Sequence, residues 1–150
     1  MKTCIFLLAV LLATPATLIL RAEGPKLQPQ EETELERKMD KMGDAWRKLK
    51  RQVADPTKNA DSLQLLATIR AAADDAAKLI PAKAEDISAN DRPKFIADYQ
   101  GKMKALDAAL GKLEAALTAG RNNEATKLVA EIGAAQKAGH KEFKRPEEGK

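Results

Sequence analysis

Apolar residues recur at alternating intervals of three and four along separate segments of the chain, and this spacing constrains the fold more than any other feature of the sequence. In the first segment, the residues in this pattern are Leu35, Met39, Met42, Trp46, Leu49 and Val53. Residues spaced in this way share one face of an α-helix, which can be buried against other helices. The first segment is therefore predicted to be an amphipathic helix over about 33–53.

Three further segments continue the pattern, separated by residues that start or stop helices. The second contains Leu65, Ile69, Ala72, Ala76 and Leu79, the third contains Ile96, Tyr99, Met103, Leu106, Leu110, Leu113 and Leu117, and the fourth contains Val129, Ile132, Gln136, His140 and Phe143. Pro81 is predicted to end the second helix, and Pro93 to lie in the first turn of the third. Gly120 has the position of a left-handed C-terminal cap, and Asn122 or Asn123 can begin the fourth helix.

The connections between the predicted helices are short, except for the polar loop over 81–92. Short connections favour antiparallel neighbours, so we predict an all-α protein, an antiparallel up-down-up-down four-helix bundle over 33–145. Aromatic residues make up only 3% of the chain and β-branched residues are sparse, which disfavours a β-sandwich or barrel. In this topology the start of the first helix, the long loop, the start of the third helix and the end of the fourth meet at one end.

The beginning of the chain has the features of a secretion signal, because Lys2 is followed by an apolar run over 4–20. We expect 1–22 to be a signal peptide, 23–32 a flexible lead-in and 146–150 a short tail. The domain would then be periplasmic and would meet the membrane only during export, whereas the alternative is an uncleaved membrane anchor. Cys4 is the only cysteine, so the mature domain would contain no thiol.

Charge and side-chain chemistry argue against several classes of function. Lys2 and Arg21 lie in the expected leader, so 24 of the 26 basic side chains remain against 22 acidic ones. A balanced charge of this kind argues against nucleic-acid binding, which depends on neutralising phosphates. With one histidine, serines only at Ser62 and Ser88 and no glycine-rich phosphate loop, the chain lacks the groups of a hydrolase, a nucleotide site or a zinc site. We expect no enzyme activity, and a monomer whose apolar stripes are used inside the bundle.

Two candidate metal ligands, Met39 and His140, are predicted to lie at the same end of the bundle. Met39 is near the start of the first helix and His140 is about one turn before the end of the fourth, so both lie at similar depth on neighbouring helices. A thioether that faces an imidazole is the axial ligand pair of a haem used for electron transfer. Alternatively, Met39 fills the core, as Met42 and Met103 would, and His140 is solvated near a helix C-terminus.

Most of the aromatic residues outside the expected leader fall at this same end, namely Phe95, Tyr99 and Phe143. Their rings could form the walls of a site for a flat ring system, or they could simply close the open end of the bundle. The residues alone leave both interpretations open.

Short stretches distributed over about 33–144 resemble the cytochrome b562 family in their order and spacing. They are Leu35 to Met39, Arg70 to Ala73, Pro81 with Lys83 and Glu85-Asp86, Asp98-Tyr99, Gly120 with Glu124-Ala125, and His140 to Phe143. The resemblance covers essentially the whole predicted bundle.

The resemblance implies a periplasmic electron carrier with one haem b, for which Met39 and His140 are the axial ligands and Tyr99 and Met103 lie against the haem. Gln136 and Gly139 occupy the positions of the haem-attaching cysteines in the related cytochromes c′, so the resemblance implies non-covalent attachment. An unidentified redox protein would be the partner. The alternative is a haem-free periplasmic bundle that serves as a binding or structural module.

Overall fold

The computed structural model describes residues 33–146, which form four α-helices. They are α1 (Glu34–Gln52), α2 (Asn59–Ala77), α3 (Arg92–Thr118) and α4 (Asn122–Phe143), with short 3₁₀ helices at Pro56–Lys58 and Ala82–Asp86. The expected signal peptide (1–22), the lead-in (23–32) and all but Pro146 of the expected tail lie outside the described residues. Within 33–146, no helix is both long enough and apolar enough to cross a bilayer.

Local sequence signals set most of the helix boundaries. Thr33 caps α1 through a reciprocal pair of hydrogen bonds, in which its hydroxyl accepts from the Glu36 backbone and the Glu36 carboxylate accepts from the Thr33 backbone. Gly120 has a φ of 68°, the left-handed conformation expected after α3. Pro93 lies in the first turn of α3, and α4 begins at Asn122, as predicted.

The end of α2 differs from the prediction, which placed it at Pro81. The α-helix ends at Ala77. The next residues tighten into 3₁₀-type bonds, in which the Leu79 amide donates to the Ala76 carbonyl at 3.1 Å. Pro81 has no amide to donate to the Ala77 carbonyl, and its ring would clash with that carbonyl in a continued helix, so α2 ends four residues before the proline.

Contacts between helix termini establish the antiparallel order. Lys38 at the start of α1 forms an ion pair with Asp75 at the end of α2, at 2.6 Å. The Tyr99 hydroxyl near the start of α3 donates to the Ala76 carbonyl at 2.9 Å. The Tyr99 ring also meets the Phe143 ring at the end of α4, with 5.5 Å between centroids. These termini form one end of the bundle, which we call the Tyr99 end, as the predicted topology requires.

At the opposite end of the bundle, the side chains of two asparagines form hydrogen bonds that connect the helix ends. The buried Asn122 side chain donates to the Val53 carbonyl at 2.8 Å and to the Asn59 amide oxygen at 2.7 Å. The Asn59 side chain in turn donates to the Leu117 carbonyl at 3.2 Å. The bond from Asn122 satisfies the Val53 carbonyl beyond the end of α1, and the bond from Asn59 adds to the one that the Gly120 amide donates to the Leu117 carbonyl.

Buried side chains from all four helices form one core, as in a four-helix bundle, which confirms the predicted fold class. Its most deeply buried aliphatic side chains are Leu49, Leu66, Ile69, Leu110, Leu113 and Leu117. Backbone packing is extensive between α1 and α2, between α2 and α3, and between α3 and α4. Within the described part of the chain, α1 and α4 form no comparably extensive backbone interface. The boundary between α1 and α4 is therefore the most open side of the bundle.

Candidate functional site

Met39 lies on the flank of α1 that faces away from α2. The preceding residue, Lys38, pairs with Asp75 of α2, and Gln52 on the same flank donates to Asp61 of α2 at 2.8 Å. Successive helical residues are about 100° apart, so Met39 points away from this α2 flank. In the up-down bundle, the flank of α1 away from α2 is the one next to α4. Met39 is half-buried there and packs against the edge of the core.

His140 lies on the flank of α4 that faces away from α3. Glu142 lines a shallow groove together with Ala97 and Gly101 of α3, so its side of α4 is the α3 side. His140 is two residues earlier and therefore about 200° around the helix, toward α1. Its imidazole forms no hydrogen bond or ion pair with any residue of 33–146.

The expectation that His140 faces the core needs correction, because its side chain is exposed. The buried side of α4 is centred on Val129, Ile132 and Phe143. His140 shares their spacing but lies at the margin of that face, where heptad spacing alone does not distinguish the centre of a buried stripe from its edge.

Met39 and His140 thus lie on facing flanks of α1 and α4 near the Tyr99 end. Two glycines border the same boundary, Gly43 one turn after Met39 and Gly133 two turns before His140. We call the boundary marked by these four residues the α1/α4 seam. A Cβ atom built on Gly133 would meet no heavy atom within 4 Å, and one on Gly43 would meet only the Arg47 guanidinium, at 3.8 Å.

The seam therefore fits the group that the sequence suggested. It offers a soft sulfur donor on one helix, an imidazole nitrogen donor on the next, and two glycines that place no side chain on the boundary. Thioether and imidazole donors together would suit haem iron, rather than a hard cation that prefers oxygen ligands. Gln136 lies one turn before His140 and is half-buried. It carries no thiol that could attach a haem covalently.

An aromatic cluster closes the core beside the turn that carries His140. The ring of buried Phe143 contacts the ring of Phe95, with 5.2 Å between centroids, and the ring of Tyr99, at 5.5 Å. The tilted geometry is a favourable arrangement of aromatic rings. The cluster excludes water from the end of the core, whether or not it also serves as a wall for a bound ring system.

Tyr99 is held as a neutral hydrogen-bond donor. It is buried, and its hydroxyl donates to the Ala76 carbonyl. Burial raises the pKa of Tyr99 to about 12 because the tyrosinate would lose its hydration. Tyr99 is therefore a structural donor between α2 and α3, and its predicted place against a haem stays a prediction.

The other methionines differ from Met39 in their burial. Met42 and Met103 are each only 7% exposed and belong to the core. Met39 is the only one of the three at the rim of the core. The predicted contact of Met103 with a haem remains a prediction, because its described environment is that of a core residue.

Three other residues of this region were not identified from the sequence as part of a candidate site. Gly43 and Gly133 could have been found, because each lies at helical spacing from a predicted ligand. Trp46 is 4% exposed, and its indole Nε1 is the only buried side-chain polar atom without a hydrogen-bond partner in the described range. Trp46 lies two turns after Met39 on the core side of α1, so its fluorescence can report binding in the seam.

Comparison with known proteins gives one family. A family model described as cytochrome b562 matches residues 34–144, which includes all four helices. Comparisons with curated proteins and with solved structures find no match.

Proposed function

Because the chain belongs to the cytochrome b562 family, we propose that it binds one haem b non-covalently in the α1/α4 seam and carries single electrons. The observation that carries this proposal is the placement of Met39 and His140 on facing flanks of the seam. The His140 imidazole forms no hydrogen bond or ion pair within 33–146. When bound, the haem iron supplies a one-electron redox couple.

In this proposal the Met39 sulfur and an imidazole nitrogen of His140 would hold the haem iron. A thioether is a soft donor and stabilises the reduced iron, which raises the reduction potential. If both side chains bind the iron, the protein would leave no place on it for a substrate. The chain would then act as a carrier and not as an enzyme, which agrees with a family of haem-binding electron carriers.

The surrounding residues would keep one side of the site dry and the other side close to solvent. The contacts among Phe95, Tyr99 and Phe143 exclude water from the core. Because His140 is exposed, the side of the haem that it binds would lie near the protein surface. A low-dielectric interior with an exposed edge is the environment in which a haem can exchange electrons with a second protein.

We further propose that the carrier acts in the periplasm as a monomer. The expected signal peptide over 1–22 supports this location, and the near-balanced charge of the mature chain gives no support for a nucleic-acid partner. The physiological partner would be another redox protein. Contact with a membrane would be limited to export, unless the leader is retained.

A haem titration of the purified mature chain tests the proposal. The single tryptophan, Trp46, should lose fluorescence as haem binds, because haem absorbs its emission. Reduction should give the sharp α and β bands of a six-coordinate low-spin haem. A free-haem spectrum together with unchanged Trp46 fluorescence would contradict the proposal and favour a haem-free bundle that serves as a binding or structural module.

A further inference from the structure

Two cations tie the end of α4 to the 3₁₀ helix between α2 and α3. The Lys83 ammonium donates to the Glu142 carbonyl oxygen at 2.6 Å. Arg145 binds both carboxylate oxygens of Asp86, at 2.8 and 2.9 Å, and also donates to Glu85 at 2.9 Å. We call this set of residues the α4 clasp.

The clasp acts on the part of α4 that carries His140. The last carbonyls of an α-helix have no partner within the helix, and Lys83 supplies one for Glu142. Arg145 fixes the chain just beyond the helix end. Both anchoring points therefore lie within a few residues of His140, on a terminal turn that would otherwise fray.

The side of this turn that faces α1 is more open than its inner face. The His140 side chain is exposed, and no extensive backbone interface joins α4 to α1 in the described part of the chain. Phe143 anchors the inner face of the turn through its contacts with Phe95 and Tyr99. The clasp is the polar tether that complements this aromatic contact.

We propose that the α4 clasp positions the His140 imidazole and thereby sets how firmly a haem is ligated in the seam. The part of this inference that concerns haem rests on the function proposed above. Lys83 and Arg145 are positioning residues, since neither borders the seam. A bidentate arginine–carboxylate pair fixes orientation as well as distance, which suits this role better than a single point contact.

The chain offers a matched control in Arg70. Its side chain also binds two carboxylates, Asp107 at 3.0 Å and Glu114 at 2.5 Å, and is 37% exposed, as is the Arg145 side chain. Arg70 joins α2 to α3 and does not contact α4. Replacing Arg70 therefore removes a comparable ion-pair network without touching the turn that carries His140.

The experiment compares R145Q, K83A and R70Q in the full chain. His140 is the only histidine, so its ring signals in an NMR spectrum are unambiguous. In the haem-free protein, R145Q and K83A should shift or broaden these signals and speed amide exchange in the last turn of α4, whereas R70Q should do neither. R145K, which keeps the charge but not the bidentate geometry, should restore part of the wild-type behaviour.

With haem present, R145Q should weaken binding by about three- to tenfold and should increase the high-spin fraction of the spectrum. Equal changes in R145Q and R70Q would overturn the positioning role. Wild-type His140 signals and amide exchange in R145Q would also overturn it, even if haem binds. If the wild-type chain takes up no haem, the proposed function fails, while the ring signals and amide exchange still decide whether the clasp positions His140.

Discussion

The buried hydroxyl of Tyr99 donates a hydrogen bond to the carbonyl oxygen of Ala76 at 2.9 Å, which joins the beginning of α3 to the end of α2. The same ring packs against Phe143 at the end of α4. A single residue thus connects three of the four helices at the end of the bundle where the candidate ligands lie. The protonation state of Tyr99 should therefore affect how stably the helix ends pack at the Tyr99 end of the bundle.

Tyr99 is predicted to stay protonated well above the usual range for a tyrosine. Burial raises its pKa to about 12, so the folded state binds this proton more tightly than the unfolded state does. The contribution of neutral Tyr99 to the free energy of unfolding is fully present below about pH 10 and is lost as the pH rises toward 12. Tyrosinate absorbance reports the titration directly, because the chain has one tyrosine.

Y99F provides the control for this prediction. It removes the titration and the hydrogen bond but keeps the ring, and should lower the free energy of unfolding by about 0.5–1.5 kcal/mol. Tyrosinate absorbance that appears near pH 10 in the folded wild-type protein would show that the hydroxyl is not buried as described.

We predict that replacing Gly133 by alanine is tolerated, whereas replacing it by a large residue weakens haem binding. G133A should raise the free energy of unfolding by about 0.5–1 kcal/mol, since a Cβ there meets no heavy atom within 4 Å and alanine favours a helix. G133L should weaken haem binding by at least about fivefold, because the side chain would occupy the seam. Urea unfolding and haem titration measure the two effects.

The matched variant for Gly133 is G101L. Gly101 also has open space around its Cβ position, but it lines the groove between α3 and α4. G101L should leave haem binding unchanged. If G101L and G133L weaken binding equally, the haem does not lie in the α1/α4 seam.

Asn122 is predicted to stabilise the end of the bundle far from the seam without affecting ligation. N122A removes the hydrogen bonds to Val53 and Asn59 and should lower the free energy of unfolding by about 1–3 kcal/mol. N123A, at the exposed neighbouring position, should have almost no effect. Both variants should give the wild-type haem spectrum once folded, and a changed spectrum in N122A would show that the two ends are coupled.

Much of the fold could be predicted because its signals are local. Gly120 is left-handed and α4 begins at Asn122, and both follow from the preferences of these residue types. The early end of α2 at Ala77 was not predicted, because Pro81 acts on the carbonyl four residues before it and not only on its own position.

The candidate site was only partly predictable. Helical spacing placed Met39 and His140 at one end of the bundle, but it could not show that His140 lies at the exposed margin of its stripe. The α4 clasp was missed altogether. Arg145 and its partner Asp86 are far apart in the chain, and only the packing of the loop against α4 brings their charges together.

The spectrum of the reduced, haem-loaded protein tests the central claim most directly, when M39A and H140A are compared with M42A and M103A. Loss of an axial ligand should convert a six-coordinate low-spin spectrum into a five-coordinate high-spin one. The account predicts this conversion in M39A and H140A, and a low-spin spectrum in the two core variants. A low-spin spectrum in M39A, with conversion in M42A or M103A instead, would contradict it.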